Sequence, residues 1–235
     1  MRKGFRIGVA IPALDEAQSI AKVIHEIPDF VDKIVVGDNG SMDGTPDIAR
    51  AAGALVSNAK QQGYGAACLS AIEVLQDVDI IVFVDGDYSD YPAQMDQLVD
   101  PIISGEVALV IGSRKLGTRQ AGALTPQQIF GNWLACSLIS LFWGVRYTDL
   151  GPFRAISHDA LTEIDMQDTA FGWTVEMQLK AILCGLKVVE VPVDYRKRIG
   201  RSKISGTLRG TFLAGHAILG TIIKTALKAR KDRKQ

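Results

Sequence analysis

The chain has 235 residues, 47% of them hydrophobic and 22% charged, enough to bury one sizeable core, and it contains neither a low-complexity tract nor an internal repeat. Its three cysteines (Cys68, Cys136, Cys184) lie far apart without CxxC spacing, which excludes a disulfide frame or zinc site and leads us to expect a reducing, cytoplasmic setting. The formal net charge is zero, yet from Arg196 onward there are twelve Lys and Arg against one acid, Asp232. An acidic body with a basic C-terminal arm points to an anionic partner, a phosphate or a lipid surface, or else to a solvated tail. Nucleic acid is not an expected partner, and the oligomeric state stays open.

The N-terminal MRKGFRIGVAIPALDE turns polar after one short apolar run, unlike a secretory leader. FRIGVAI predicts a strand, Glu16 to Ile27 an amphipathic helix, KIVVGD a second strand, and TPDIARAAG a helix stopped by Gly53. ALVS predicts a strand and Tyr64 to Leu75 a helix. The apolar, β-branched DIIVFVD is a strand, Pro92 to Ile103 a helix opened by proline, and VALVIGS closes the series. This βαβα alternation implies a mostly parallel sheet covered by helices on both faces.

The second half reads differently. Lys115 to Thr125 is predicted as a mobile loop, Pro126 to Val145 as a long apolar helix, and FRAIS as a strand. Trp173 to Cys184 is a helix stopped by Gly185, LKVVEVPVDY a strand, Arg196 to Ser205 a basic loop, and Thr207 to about Arg230 a last helix. No linker interrupts the chain, so we expect one domain over 1–235, in parts 1–113, 114–205 and a basic amphipathic helix with tail at 206–235. From Gln120 to Val145 there is no charge, but IFGNWLACSLISLFWGV has seventeen residues, short of the roughly twenty that span a bilayer. That segment and 210–223 fit an interfacial position, with Trp133 and Trp143 near headgroups, or equally a buried helix or dimer contact.

The strongest chemical signal is VFVDGDYSD. Asp85 and Asp87 stand where a buried central strand ends, and open α/β sheets bind ligands at such carboxyl ends. Two carboxylates one residue apart suit a hard divalent cation, Mg²⁺ or Mn²⁺, with positions left open for substrate phosphates. Gly86 between them allows close backbone approach. IPALDE ends the first strand, with Pro12 fixing its exit and Glu16 opening the next helix. VVGDNGSMDGT ends the second strand and offers Asp38 to a base or ribose. In QQGYGAA, the glycines Gly63 and Gly65 permit close approach to a ligand. Each motif alone reads as turn chemistry, but four at successive strand ends of one sheet edge do not.

In this order the motifs resemble those of the family 2 glycosyltransferases, especially the dolichyl-phosphate mannose synthase group of polyprenyl-phosphate glycosyltransferases. IPALDE resembles IPxxNE, GDNGSMDGT resembles DDGSxDGT, and DGD resembles DxD. GSRKLG, DLGPFRA, the helix at Glu176 and VPVDYRKRIGRSKIS resemble the family's later landmarks, so the likeness covers nearly the whole chain. It implies a GT-A fold, a Rossmann-like nucleotide-diphospho-sugar transferase, with 1–113 as donor half and 114–205 as acceptor half. It also implies Pro12, Glu16 and Asp38 around the base and ribose, and Asp85 and Asp87 at the metal and diphosphate; Ala13, Gly63, Gly65 and Gly86 complete the expected nucleotide-binding residues. Three features depart from the family. Asp149 to Arg154 is one residue shorter than DxxSGFR, Ser89 stands where some relatives have Gln, and no pair of C-terminal transmembrane helices is evident.

Cleavage of a nucleotide-sugar bond builds charge on the departing diphosphate, which a metal and nearby cations stabilise. Arg114, Arg198, Arg201 and Lys203 are the candidates, with Arg154 added on the phosphate and acceptor side. A polyprenyl phosphate needs no general base, whereas an alcohol acceptor requires one, and Asp149 and Glu176 are the candidates. The expectation is an inverting, metal-dependent hexosyltransferase acting on a polyprenyl phosphate, peripheral on the cytoplasmic face of a membrane. The alternatives are a soluble phosphorylated or hydroxylated acceptor, or a non-catalytic nucleotide binder. A Rossmann oxidoreductase would need GxGxxG where this chain has IPALDE.

Overall fold

A computed structural model describes residues 1–200, 215 and 217–227. The N-terminal half forms the predicted alternation: β1 (Ile7–Ala13), α1 (Ile20–His25), β2 (Lys33–Asp38), α2 (Thr45–Ala51), β3 (Leu55–Asn58), α3 (Tyr64–Val74) and β4 (Ile80–Phe83). A short 3₁₀ turn at Pro92–Gln94 leads into α4 (Met95–Ile103), followed by β5 (Leu109–Ser113). Every residue of β1, β4 and β5 is buried, as strands covered on both faces must be. Helix α1 starts later than expected, because residues 16–19 form a turn in which the Ser19 amide and hydroxyl both donate to the Glu16 carbonyl.

After the loop come α5 (Pro126–Trp143), β6 (Arg154–Ser157), α6 (His158–Ile164), α7 (Trp173–Leu183) and β7 (Val188–Pro192). Helix α6 was not expected, although Ser157 caps it by accepting the Ala160 amide. Thr125 and Gln128 form a capping box at the start of α5, and Gly144 ends that helix in the left-handed region. The expected final helix is described at 217–227, where Ile222 and Ala226 are buried; the rest of its predicted span lies outside the described residues.

The seven strands order as β3-β2-β1-β4-β6-β5-β7. β1 pairs in parallel with β2 and β4, β2 with β3, and β5 with β7, while β6 runs antiparallel to both β4 and β5. VALVIGS therefore does not extend the parallel series directly, as the sequence had suggested. A strand from the second half is inserted there, so the two halves of the chain share one sheet. The register aligns Ala13 with Asp38, and Ala10 with Phe83, which brings the loops after β1, β2 and β4 to one edge.

Helix α3 lies very close to that sheet. A Cβ on Gly37 would sit 2.0 Å from the Ala67 carbonyl oxygen, so the small residues after Gly63 serve helix–sheet packing. Among the described residues no helix is long and apolar enough to cross a membrane. Replacing Gly37 by Ala is expected to lower the unfolding free energy by about 3 kcal/mol, read as a shift in the urea midpoint at constant m. An unmoved midpoint would mean that α3 can retreat from β2.

Candidate functional site

A cavity of about 360 Å³ opens at the carboxyl edge of the sheet, lined by Pro12, Ala13, Glu16, Asn39, Gly63, Tyr64, Asp85, Gly86, Asp87, Phe171 and Arg198 among others. Hydrogen bonds stitch the loops after β1 and β2 together beside it. The Asp15 amide donates to Ser41 Oγ, the Glu16 amide to Thr45 Oγ1, and the Met42 amide to Asp15 Oδ1. Asp38 does not line the cavity. It is buried, and its carboxylate accepts the Gly40 and Ser41 amides at 3.1 and 3.2 Å, holding the turn after β2. Its neighbour Asn39 lines the cavity instead and accepts the Gly63 amide at 2.8 Å.

Gly63 lines the cavity and Gly65 is buried, but both are glycine for an internal reason. A Cβ at either would come within 2.0 Å of the Thr169 or Asp168 carbonyl oxygen. The close approach expected for a ligand is thus made by the chain's own segment at 168–170. Gly86 differs: a Cβ there meets protein atoms only at 3.4 Å or beyond, an ordinary contact.

The loop after β4 carries the charge. Asp85 Oδ1 accepts the Tyr64 hydroxyl at 2.9 Å. Asp87 Oδ1 accepts the Ser89 amide and hydroxyl at 2.9 and 2.5 Å, and its Oδ2 lies 3.2 Å from Arg198 Nη1. Ser89, where some relatives have Gln, therefore fixes the rotamer of Asp87. The other arm of Arg198 reaches Glu16 Oε1 at 3.0 Å, so this guanidinium bridges two acids across the cavity. Asp90 is 1% exposed; its Oδ2 receives a long bond of 3.4 Å from the Asp85 amide, and its Oδ1 has no partner. Burial, followed by repulsion from Asp87, pushes Asp85 up to about 7. Burial, then Asp85 and Asp87, likewise raises Asp90 well above the carboxylate range.

The segment after β7 is strapped over this loop. The Arg196 amide donates to Ser89 O and the Ile199 amide to Asp87 O, both at 2.9 Å. The Arg196 guanidinium bonds Tyr88 O and Glu26, with its Cζ 3.3 Å from the Tyr88 ring centroid. Tyr64, Asp90 and Phe171 were not singled out in the sequence, and Ser89 and Asn39 stood out only as departures from the family pattern. Tyr64 and Asn39 stood inside motifs already noted, whereas Phe171 comes from an unassigned stretch before α7.

Four candidates take other places than expected. Asp149 is buried and accepts the Arg114 amide and Nε at 2.8 Å and its Nη2 at 2.6 Å. Burial alone would raise it, but the Arg114 guanidinium holds it below the ordinary carboxylate range, and neither residue lines the cavity. Glu176 accepts the Gln167 and Asp168 amides at 3.1 and 2.8 Å and pairs with Lys180, anchoring the wall at 165–170 rather than facing the cavity. Arg154 is fully buried, and its guanidinium donates to the Gly151 and Thr174 carbonyls, so it does not reach a surface phosphate. Burial lowers it to about 10. Arg201 and Lys203 lie outside the described residues.

A parallel-centred sheet with one inserted antiparallel strand, and an acidic strand-end cavity, define a nucleotide-sugar transferase of the GT-A kind. Residues 8–162 match the model of glycosyl transferase family 2, and the chain belongs to that family. It is 30% identical over 227 residues to a dolichyl-phosphate hexose transferase of Haloferax volcanii, covering 95% of each chain. It is 27% identical over 221 residues to an undecaprenyl-phosphate mannosyltransferase of Micrococcus luteus, covering 87% of this chain and 90% of that one. Among solved structures it resembles glucosyl-3-phosphoglycerate synthase of Mycobacterium tuberculosis in complex with Mn²⁺, UDP-glucose and phosphoglyceric acid. The TM-score there is 0.77 at 25% identity, over 95% of this chain and 80% of that one.

The raised acids fix a pH dependence. An unfolded Asp ionises near 3.8, whereas folded Asp85 keeps its proton to about 7. Folding therefore holds the proton favourably at low pH, and that contribution is lost as pH rises through the folded value. Carboxylates held below the ordinary range, such as Asp149 and Asp100, act only at lower pH. The urea unfolding free energy should fall between about pH 5 and about pH 7.5, and Asp85→Asn should flatten that fall. A slope unaffected by the substitution would contradict the assignment.

Proposed function

We propose that the chain is a metal-dependent, inverting hexosyltransferase that moves a sugar from a nucleoside diphosphate donor to a polyprenyl phosphate. The donor's nucleotide takes the cavity between the loops after β1, β2 and β4, beside Pro12, Ala13, Glu16 and Asn39. Asp85 and Asp87 would hold Mg²⁺ or Mn²⁺, whose bound charge stabilises the departing diphosphate. Among the described residues no cluster of three or more ligating side chains forms. Two aspartates alone suit a hard cation that completes its shell with diphosphate oxygens and water. Arg198, the cation that lines this cavity among the described residues, shares the diphosphate charge.

The observation that carries the choice of acceptor is the state of the two candidate bases. Asp149 is engaged by Arg114, and Glu176 by two backbone amides and Lys180. A phosphate oxygen needs neither, because it is already ionised. It bonds to the anomeric carbon as the bond from that carbon to the diphosphate oxygen breaks, the diphosphate leaves with the electron pair, and the configuration inverts. Two relatives named for polyprenyl-phosphate acceptors support a lipid. So does the outer face of α5, where Phe130 is 60%, Trp133 57% and Leu141 74% exposed. This face suits a peripheral position on the cytoplasmic side of a membrane. A second reading, a soluble phosphorylated acceptor, is favoured by the likeness to glucosyl-3-phosphoglycerate synthase.

Labelled nucleotide sugars incubated with Mn²⁺ and either extracted polyprenyl phosphate or 3-phosphoglycerate separate the two. We expect label in the organic phase; label only in a water-soluble product would establish the second reading. Asp85→Asn and Asp87→Asn should each lower transfer by about a hundredfold or more, and undiminished turnover in both would refute the metal site.

A further inference from the structure

The two aspartates after β4 are held very differently. The Asp87 carboxylate meets the Ser89 amide, the Ser89 hydroxyl and Arg198. Among the described residues, the Asp85 carboxylate receives only the Tyr64 hydroxyl, at 2.9 Å on Oδ1. Its Oδ2 is left without a partner among them, on a residue that lines the cavity. Asp85 thus has a single restraint against the like charge of Asp87, two positions on.

That restraint comes from a residue with little freedom of its own. The Tyr64 side chain packs against the core cluster that contains Cys68, Phe83 and Trp173. Its backbone opens α3, where the first amides of a helix ordinarily lack partners. Here the chain itself supplies them. The Gly63 amide donates to Asn39 Oδ1 at 2.8 Å, the Gly65 amide to the Ala170 carbonyl at 3.1 Å, and the Ala66 amide to the Thr169 carbonyl at 3.0 Å. The segment that provides those carbonyls is anchored in turn, because Glu176 accepts the Gln167 and Asp168 amides. Phenylalanine would serve the packing equally well, so the hydroxyl is the part of Tyr64 that the core does not explain.

We infer that Tyr64 is a positioning residue for the divalent cation: its hydroxyl holds Asp85 Oδ1, so that Oδ2 stays available as a ligand beside Asp87. The inference rests on the metal reading of Asp85 and Asp87 proposed above. The hydroxyl takes no part in making or breaking bonds. It sets how tightly the cation is held, through the carboxylate that it orients.

Equilibrium dialysis of radiolabelled Mn²⁺ against the full chain, with UDP or GDP present, tests this without turnover. Tyr64→Phe should weaken Mn²⁺ binding about tenfold or more. Tyr147→Phe, which removes a buried hydroxyl that has no partner, should leave binding within about twofold. Tyr64→Leu removes the ring as well, and separates orientation from packing. It should lower the urea midpoint further than Tyr64→Phe does, yet lose Mn²⁺ affinity to the same extent. Mn²⁺ affinity that falls in Tyr64→Leu but not in Tyr64→Phe would make the role one of packing and overturn the inference. Binding by Tyr64→Phe at the parent's level, alongside loss in Asp85→Asn, would also overturn it and leave the metal reading standing. No Mn²⁺ binding by the parent chain with either nucleotide would refute the metal reading itself, and the inference with it.

Discussion

Everything at the carboxyl edge of this sheet is arranged around the repulsion between acids on one loop. Asp85, Asp87 and Asp90 fall within six residues, at the end of a strand whose every residue is buried. Burial and mutual repulsion raise two of the three. The surrounding contacts oppose that repulsion individually: Tyr64 donates to Asp85, Ser89 donates twice to Asp87, and Arg198 lies across Asp87 and Glu16. Asp90 keeps one oxygen without a partner. A site that holds uncompensated acid together in this way is suited to a cation that arrives with its ligand, and it sacrifices some stability for that fitness.

What the sequence made legible follows from chain-local physics. Buried parallel strands read as apolar runs, and their ends carry the turn residues and acids, so β1, β2, β4 and the DGD pair were all visible. What it hid depends on partners distant in sequence. Asp149 reads as an acid in a loop, but Arg114, 35 residues earlier, engages its carboxylate. Arg154 reads as a phosphate ligand, yet its strand is inserted between β4 and β5, which takes its guanidinium into the core. Gly63 and Gly65 were recognised as places of close approach, and only the fold reveals that residues 168–170 make that approach. Likewise, the inserted β6 has no local signature, because nothing in FRAIS specifies the direction in which it pairs.

The strap after β7 connects these parts. Residues 195–199 hydrogen-bond on one side to the β4 loop, through Ser89 and Asp87, and on the other to the β5–α5 loop, through Thr118 and Gln120. In an extended segment successive side chains point to opposite sides. Lys197 accordingly packs against Gly122 while Arg198 faces Glu16 and Asp87. The two loops are thus joined mainly by backbone hydrogen bonds, with the Gln120 side chain adding one more.

That arrangement bears on how direct displacement becomes possible. In the proposed reaction two anions, a donor diphosphate and an acceptor phosphate, must be brought near one anomeric carbon against their own repulsion. The backbone of Tyr195 bridges Asp90 in the loop after β4 and Arg119 in the β5–α5 loop, so main-chain contacts join the two loops. In the proposed transfer to a phosphate, which needs no general base, orientation of the reacting groups by the fold is where most of the rate must come from.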